Sequence, residues 1–129
     1  MQQHLNKAYH NEKFLSLVEK NFPDNYFDWK ITIAFYIAIH YVDAYFASLG
    51  VTTYSHEDRR YKLENGANSV SMEFIDNYDN LYYICINARY NGFTDEQIFL
   101  EHQKEKCFEA KMYLKFIKNY IKDDLDQIT

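Results

Sequence analysis

Proline and glycine are nearly missing from this chain, with one Pro and three Gly among 129 residues. An all-β domain turns every few residues and relies on both types, so their scarcity argues against a sandwich or barrel and points to long helices. Cysteine is as sparse: Cys85 and Cys107 stand alone, without a Cys-x-x-Cys or a Cys/His ligand spacing. Neither a disulfide framework nor a structural zinc site is expected, and reduced thiols in a cytoplasmic setting are. No secretory or targeting pattern opens the sequence. Gly-rich phosphate loops, a Gly-x-Ser-x-Gly elbow and any Glu-x-x-His are also lacking, which removes the usual signatures of nucleotide hydrolysis, serine esterases and di-metal bundles. The helical ligand pairs on offer are His40 with Asp43 and His102 with Glu105. Such pairs supply fewer ligands than a metal site needs, so neither a metal nor a cofactor is expected. Positive charge is in the minority, 14 Lys and Arg against 19 Asp and Glu for a net −5. That balance disfavours broad electrostatic attraction to nucleic acid and leaves only local basic patches to provide it.

Aromatic residues, by contrast, are abundant: thirteen Tyr and ten Phe. A chain of this length forms one domain, residues 1–129, with a core of its own. The aromatic content exceeds what so small a core readily hides, and such residues are enriched at interfaces, so a homodimer through an aromatic face is expected.

The chain is organised around Trp29 to Gly50, apolar on almost every side with Lys30, Thr32, His40, Asp43 and Ser48 as interruptions. A helix of that kind lies inside a bundle or in a membrane, and the buried charges argue against the membrane. Before it, Leu5 to Lys20 forms an amphipathic helix that includes Phe14 and Leu17 on its apolar side. It ends near Asn21, with Pro23 as the break and Asp24 or Asn25 as the next N-cap. After it, Ser55-His-Glu-Asp58 resembles a capping box and starts a short helix at His56 that ends in the polar loop Asn65-Gly66-Ala67-Asn68, a place for mobility. Val70 to Tyr90 repeats apolar residues at three and four, giving a third long helix. Thr94-Asp-Glu-Gln97 caps a last one reaching about Asp126. The expected fold is all-α: an up-and-down antiparallel bundle of four long helices with one short helix between the second and third.

Three groups of polar residues stand out. On the central helix, Tyr36, His40 and Asp43 share one side at helical spacing. The short helix carries His56, Arg59 and Arg60, the densest positive cluster, and Arg89-Tyr90 closes the third long helix. A bundle would gather these in one cleft. His exchanges protons near neutral pH and Arg grips phosphate through two parallel hydrogen bonds, a combination suited to RNA phosphodiesters or nucleotides. The alternative is structural: His40 and Asp43 as a satisfied core pair, and Arg89 as a partly buried tie to a carboxylate such as Asp43. On the last helix Lys104, Lys111, Lys115, Lys118 and Lys122 stay within about 60°, either a solvated face or a phosphate-tracking stripe.

Trp29, Phe35-Tyr36-Ile-Ala-Ile-His40, Asp43-Ala-Tyr45, Leu49-Gly50, Ser55-His56 with Arg59, and Ala88-Arg89-Tyr90, in that order, resemble prokaryotic HEPN-type small helical proteins over roughly residues 27–122. The resemblance implies an antiparallel, often dimeric helical bundle, and a role as an RNA-cleaving toxin or defence effector, or as the partner of a nucleotidyltransferase. One motif departs from the family, whose ribonucleases carry an Arg followed four to six residues later by a His. Here the next His after Arg89 is His102. Two functions follow as expectations. The first is a HEPN-like, non-catalytic module associated with RNA or a nucleotide, with a possible partner protein in a defence or toxin–antitoxin system; Tyr36, Asp43, Arg60 and Tyr90 would bind. The second is a metal-independent endoribonuclease with His40, His56, Arg59 and Arg89 as catalytic groups.

Overall fold

The computed structural model describes residues 1–65 and 70–128, with five helices and no strand among them. Most of the expected Asn65-Gly66-Ala67-Asn68 loop lies outside the described residues. Helix α1 runs Gln2–Asn21, α2 Phe27–Ser48, α3 His56–Glu64, α4 Met72–Tyr90 and α5 Glu96–Ile128. The all-α class is therefore observed, with four long helices and the short one in its expected place. Central α2 packs against α1, α4 and α5, and α4 also packs on α5.

Local chemistry explains the helix ends. Ser55 accepts the Asp58 N–H at 3.0 Å, and the Asp58 carboxylate returns to the Tyr54 N–H rather than to that of Ser55. Ser71 caps α4 through the Phe74 N–H. Two caps differ from expectation. Asp95, not Thr94, launches α5 by accepting the Ile98 N–H at 3.0 Å. Neither Asp24 nor Asn25 caps α2; Tyr26 holds that place at φ 56°, and the Asn25 side-chain Oδ1 accepts its N–H. An aromatic residue in the left-handed region is strained, and the side-chain hydrogen bond from the preceding Asn helps hold it there. At the other end, Gly50 takes φ 73°, the conformation a helix stop requires.

The core joins Ile31, Ile37, Tyr41, Val42 and Phe46 of α2 to Phe74, Tyr78 and Leu81 of α4 and Ile117 and Ile121 of α5. Lys30 is buried yet satisfied: Nζ donates to the Phe22 carbonyl at 2.6 Å and lies 4.4 Å from the Phe27 ring centre. By length and composition α2 is apolar enough to cross a membrane, but most of it is covered by other helices. Its cover is incomplete, which corrects the expectation of burial on nearly every side. Trp29 is 61% exposed and Tyr36 39%, with Ile33 and His40 part-buried between and beyond them. Positions 29, 33, 36 and 40 form one stripe at helical spacing, left open beside α1 and the end of α4. On α1, Phe14 and Leu17 are likewise exposed, because Ala8 and Leu15 make its buried contacts.

Candidate functional site

The residues singled out in the sequence separate into distinct groups. In the first, Asp43 of α2 holds Arg59 of α3 in a two-pronged pair: Nε to Oδ1 at 2.8 Å and Nη2 to Oδ2 at 3.2 Å, with both side chains about nine-tenths buried. Thr53 donates to the same Oδ1 at 2.7 Å. Burial works against the Arg59 charge, but the hydrogen bond and field of Asp43 outweigh it and keep the guanidinium pKa above its ordinary value. Arg59, expected to stabilise a developing charge, is thus already neutralised by its own chain. The carboxylate's partner is Arg59 and not Arg89, which lines the separate cleft at the end of α4.

Beside this pair, Tyr78 Oη lies 3.0 Å from His56 Nδ1. If the Tyr78 hydroxyl donates to Nδ1, His56 is a neutral imidazole protonated on Nε2. Burial pushes the Tyr78 phenol up to about 12 and, with help from Arg59, holds His56 below 6.5. The His56 ring stacks on Tyr82 at 3.6 Å between centres and 8° between planes. His56 and Arg59 therefore act together as a polar clamp between α2, α3 and α4. Arg60 points elsewhere, donating to Asp79 at 2.8 Å and Glu64 at 2.9 Å.

The second group is an open cleft of about 320 Å³ lined by Asp28, Trp29, Thr32, Tyr36, Ala88, Arg89 and Tyr90. Among the described residues Arg89 has no carboxylate within ion-pair distance. It sits over two rings instead, 5.8 Å from the Tyr36 centre and 5.3 Å from that of Tyr90. Trp29 and Tyr90 are 61% and 69% exposed, so three aromatic rings and a guanidinium face solvent together. A planar ligand with an attached anion matches such a surface, by stacking and by charge.

His40 belongs to a third group. Its Nδ1 lies 3.3 Å from Nδ1 of His4 on α1, and one ring nitrogen from each His and a carboxylate oxygen of Asp43 all fall within 4.8 Å of one another. Burial is the main cause that lowers the His40 pKa below 6.5. A groove of about 390 Å³ beside it is lined by Lys7, Asn11, Phe14, Ile33, Tyr36 and His40. Tyr36 walls both this groove and the Arg89 cleft. The sequence reading missed His4. It precedes the fully buried Ala8 by four residues and so shares its inward face, a signal that was available.

The lysine face of α5 is partly spent on α1: Lys111 pairs with Glu19, and Lys118 reaches Glu12 at 2.9 Å. That favours the structural over the phosphate-tracking reading of the stripe. Both cysteines are buried free thiols whose pKa values burial raises. Compared with known proteins, the chain matches no family model and no curated protein.

Proposed function

We propose that this chain is a HEPN-like, non-catalytic module that binds single-stranded RNA or a nucleotide in the Trp29/Tyr36/Arg89/Tyr90 cleft. It works in the cytoplasm as a homodimer, with a partner protein in a defence or toxin–antitoxin system. The observation that carries this reading is the exposed guanidinium of Arg89 among three aromatic rings without a carboxylate partner among the described residues. Aromatic faces stack on any base, and an unneutralised Arg supplies the phosphate contact. Support for the dimer comes from the exposure of Phe14 and Leu17 on α1, each more than half exposed and outside that cleft. The endoribonuclease alternative has less behind it, since Asp43 occupies Arg59 and His56 is held against Tyr82.

Trp29 is the only tryptophan in the sequence, so its fluorescence reports on the cleft directly. Titration with a short single-stranded RNA should quench it to saturation. Tyr36→Ala or Arg89→Ala should weaken binding about tenfold, in line with about 1–3 kcal/mol per stacked base. A labelled RNA pool incubated with the protein should stay intact. No saturable quenching, or quenching that Arg89→Ala leaves unchanged, would sink the reading, and RNA cleavage abolished by His56→Ala would replace it with the ribonuclease.

A further inference from the structure

We propose that His4, His40 and Asp43 form a binding site for a divalent transition-metal ion of zinc-like preference, with two imidazoles and one carboxylate as protein ligands. The site ties the first turn of α1 to the middle of α2 and does not depend on the RNA reading.

The geometry is the main support. Two nitrogens each about 2.0–2.1 Å from a tetrahedral zinc sit about 3.3–3.4 Å apart, and the His4 and His40 Nδ1 atoms are 3.3 Å apart. The same separation also lets one neutral imidazole donate an N–H to the other, so a metal would replace that hydrogen bond. The third ligand has room to bind. Asp43 Oδ1 takes Thr53 and Arg59 Nε, while Oδ2 takes Arg59 Nη2 at the longer 3.2 Å, leaving Oδ2 a lone pair among the described contacts.

The surroundings resemble those that metal ligands need. Arg59 and Thr53 fix the carboxylate orientation, the service that outer partners give to a ligating carboxylate. Lys7 and Arg59 place positive charge nearby and act against a cation, so the affinity is moderate and not that of a closed structural site. Three protein ligands leave a fourth position for water, the composition of an open metal centre.

The test is calorimetric titration of zinc into untagged protein, comparing wild type with His4→Ala, His40→Ala and His10→Ala, each checked for folding by circular dichroism. His4 is only part-buried at the start of α1, so its loss leaves the core intact. His10 lies on the same helix, is exposed and belongs to no such cluster. The expected result is one equivalent bound by wild type and His10→Ala, with at least about a tenfold loss in His4→Ala and His40→Ala. Saturation at about a hundred times Kd should raise the thermal midpoint by about 10 °C. Zinc binding equal in wild type and His4→Ala, or absent from both, overturns the proposal even if His40→Ala fails to fold.

Discussion

Removing the Arg59 guanidinium should unfold more of this protein than removing any exposed charge. Helix α3 has nine residues, too short to persist alone, and its buried side chains are Arg59 and Leu63. The Asp43–Arg59 pair therefore anchors it. Arg59→Ala leaves Asp43 buried with Thr53 as its remaining donor, and an uncompensated buried charge of this kind costs about 3–5 kcal/mol. For a chain of 129 residues, at about 2.1 cal/mol/K per residue, that corresponds to a thermal midpoint lower by about 11–18 °C. Far-ultraviolet circular dichroism on heating measures it, and limited trypsin digestion adds a local readout because Arg60 and Lys62 lie on the same short helix. The variant should be cut there well before the wild type. Replacing both partners, Asp43→Leu with Arg59→Leu, should recover much of the loss, since apolar groups leave no stranded charge. A midpoint within about 3 °C of wild type for Arg59→Ala would refute the clamp and return Arg59 to the role of an open cation.

Two further outcomes follow from groups elsewhere in the core. Tyr41 is fully buried and donates to Glu12 at 2.7 Å, and Lys118 reaches the same carboxylate oxygen. Tyr41→Phe should cost about 1–2 kcal/mol in urea denaturation, and Glu12→Ala more, because it strands the buried hydroxyl; the reverse order would contradict this tie between α1, α2 and α5. His40 and His56 both have pKa values lowered from 6.5 mainly by burial, so the unfolded chain binds protons at pH values where the folded one does not. Stability is then complete above 6.5 and declines as pH falls through and below it. Thermal melts in chelator from about pH 7.5 to about pH 5 should show that decline, shallower in His56→Phe, and a midpoint flat across the window would exclude it.

Local features of this molecule were legible in its sequence. Apolar spacing at three and four gave the helices to within about three residues, and Ser55 and Gly50 ended them as expected, because caps and helical periodicity depend on neighbours a few positions away. The same rules placed Tyr36, His40 and Asp43 on one side of α2, and they foresaw that Asp43 would need a partner. They were silent on which partner. Arg59 and Arg89 offer the same guanidinium, and only the tertiary structure delivers one to Asp43 and leaves the other among Trp29, Tyr36 and Tyr90. His4 meets His40 for the same kind of reason, 36 residues away along the chain. The sequence by itself determined which residues are helical and which sides of each helix favour burial, since those follow from short-range geometry. The tertiary structure decided which buried charges neutralise each other and which stripe of α2 stays uncovered, because both depend on the rotation and adjacency of helices that only packing sets.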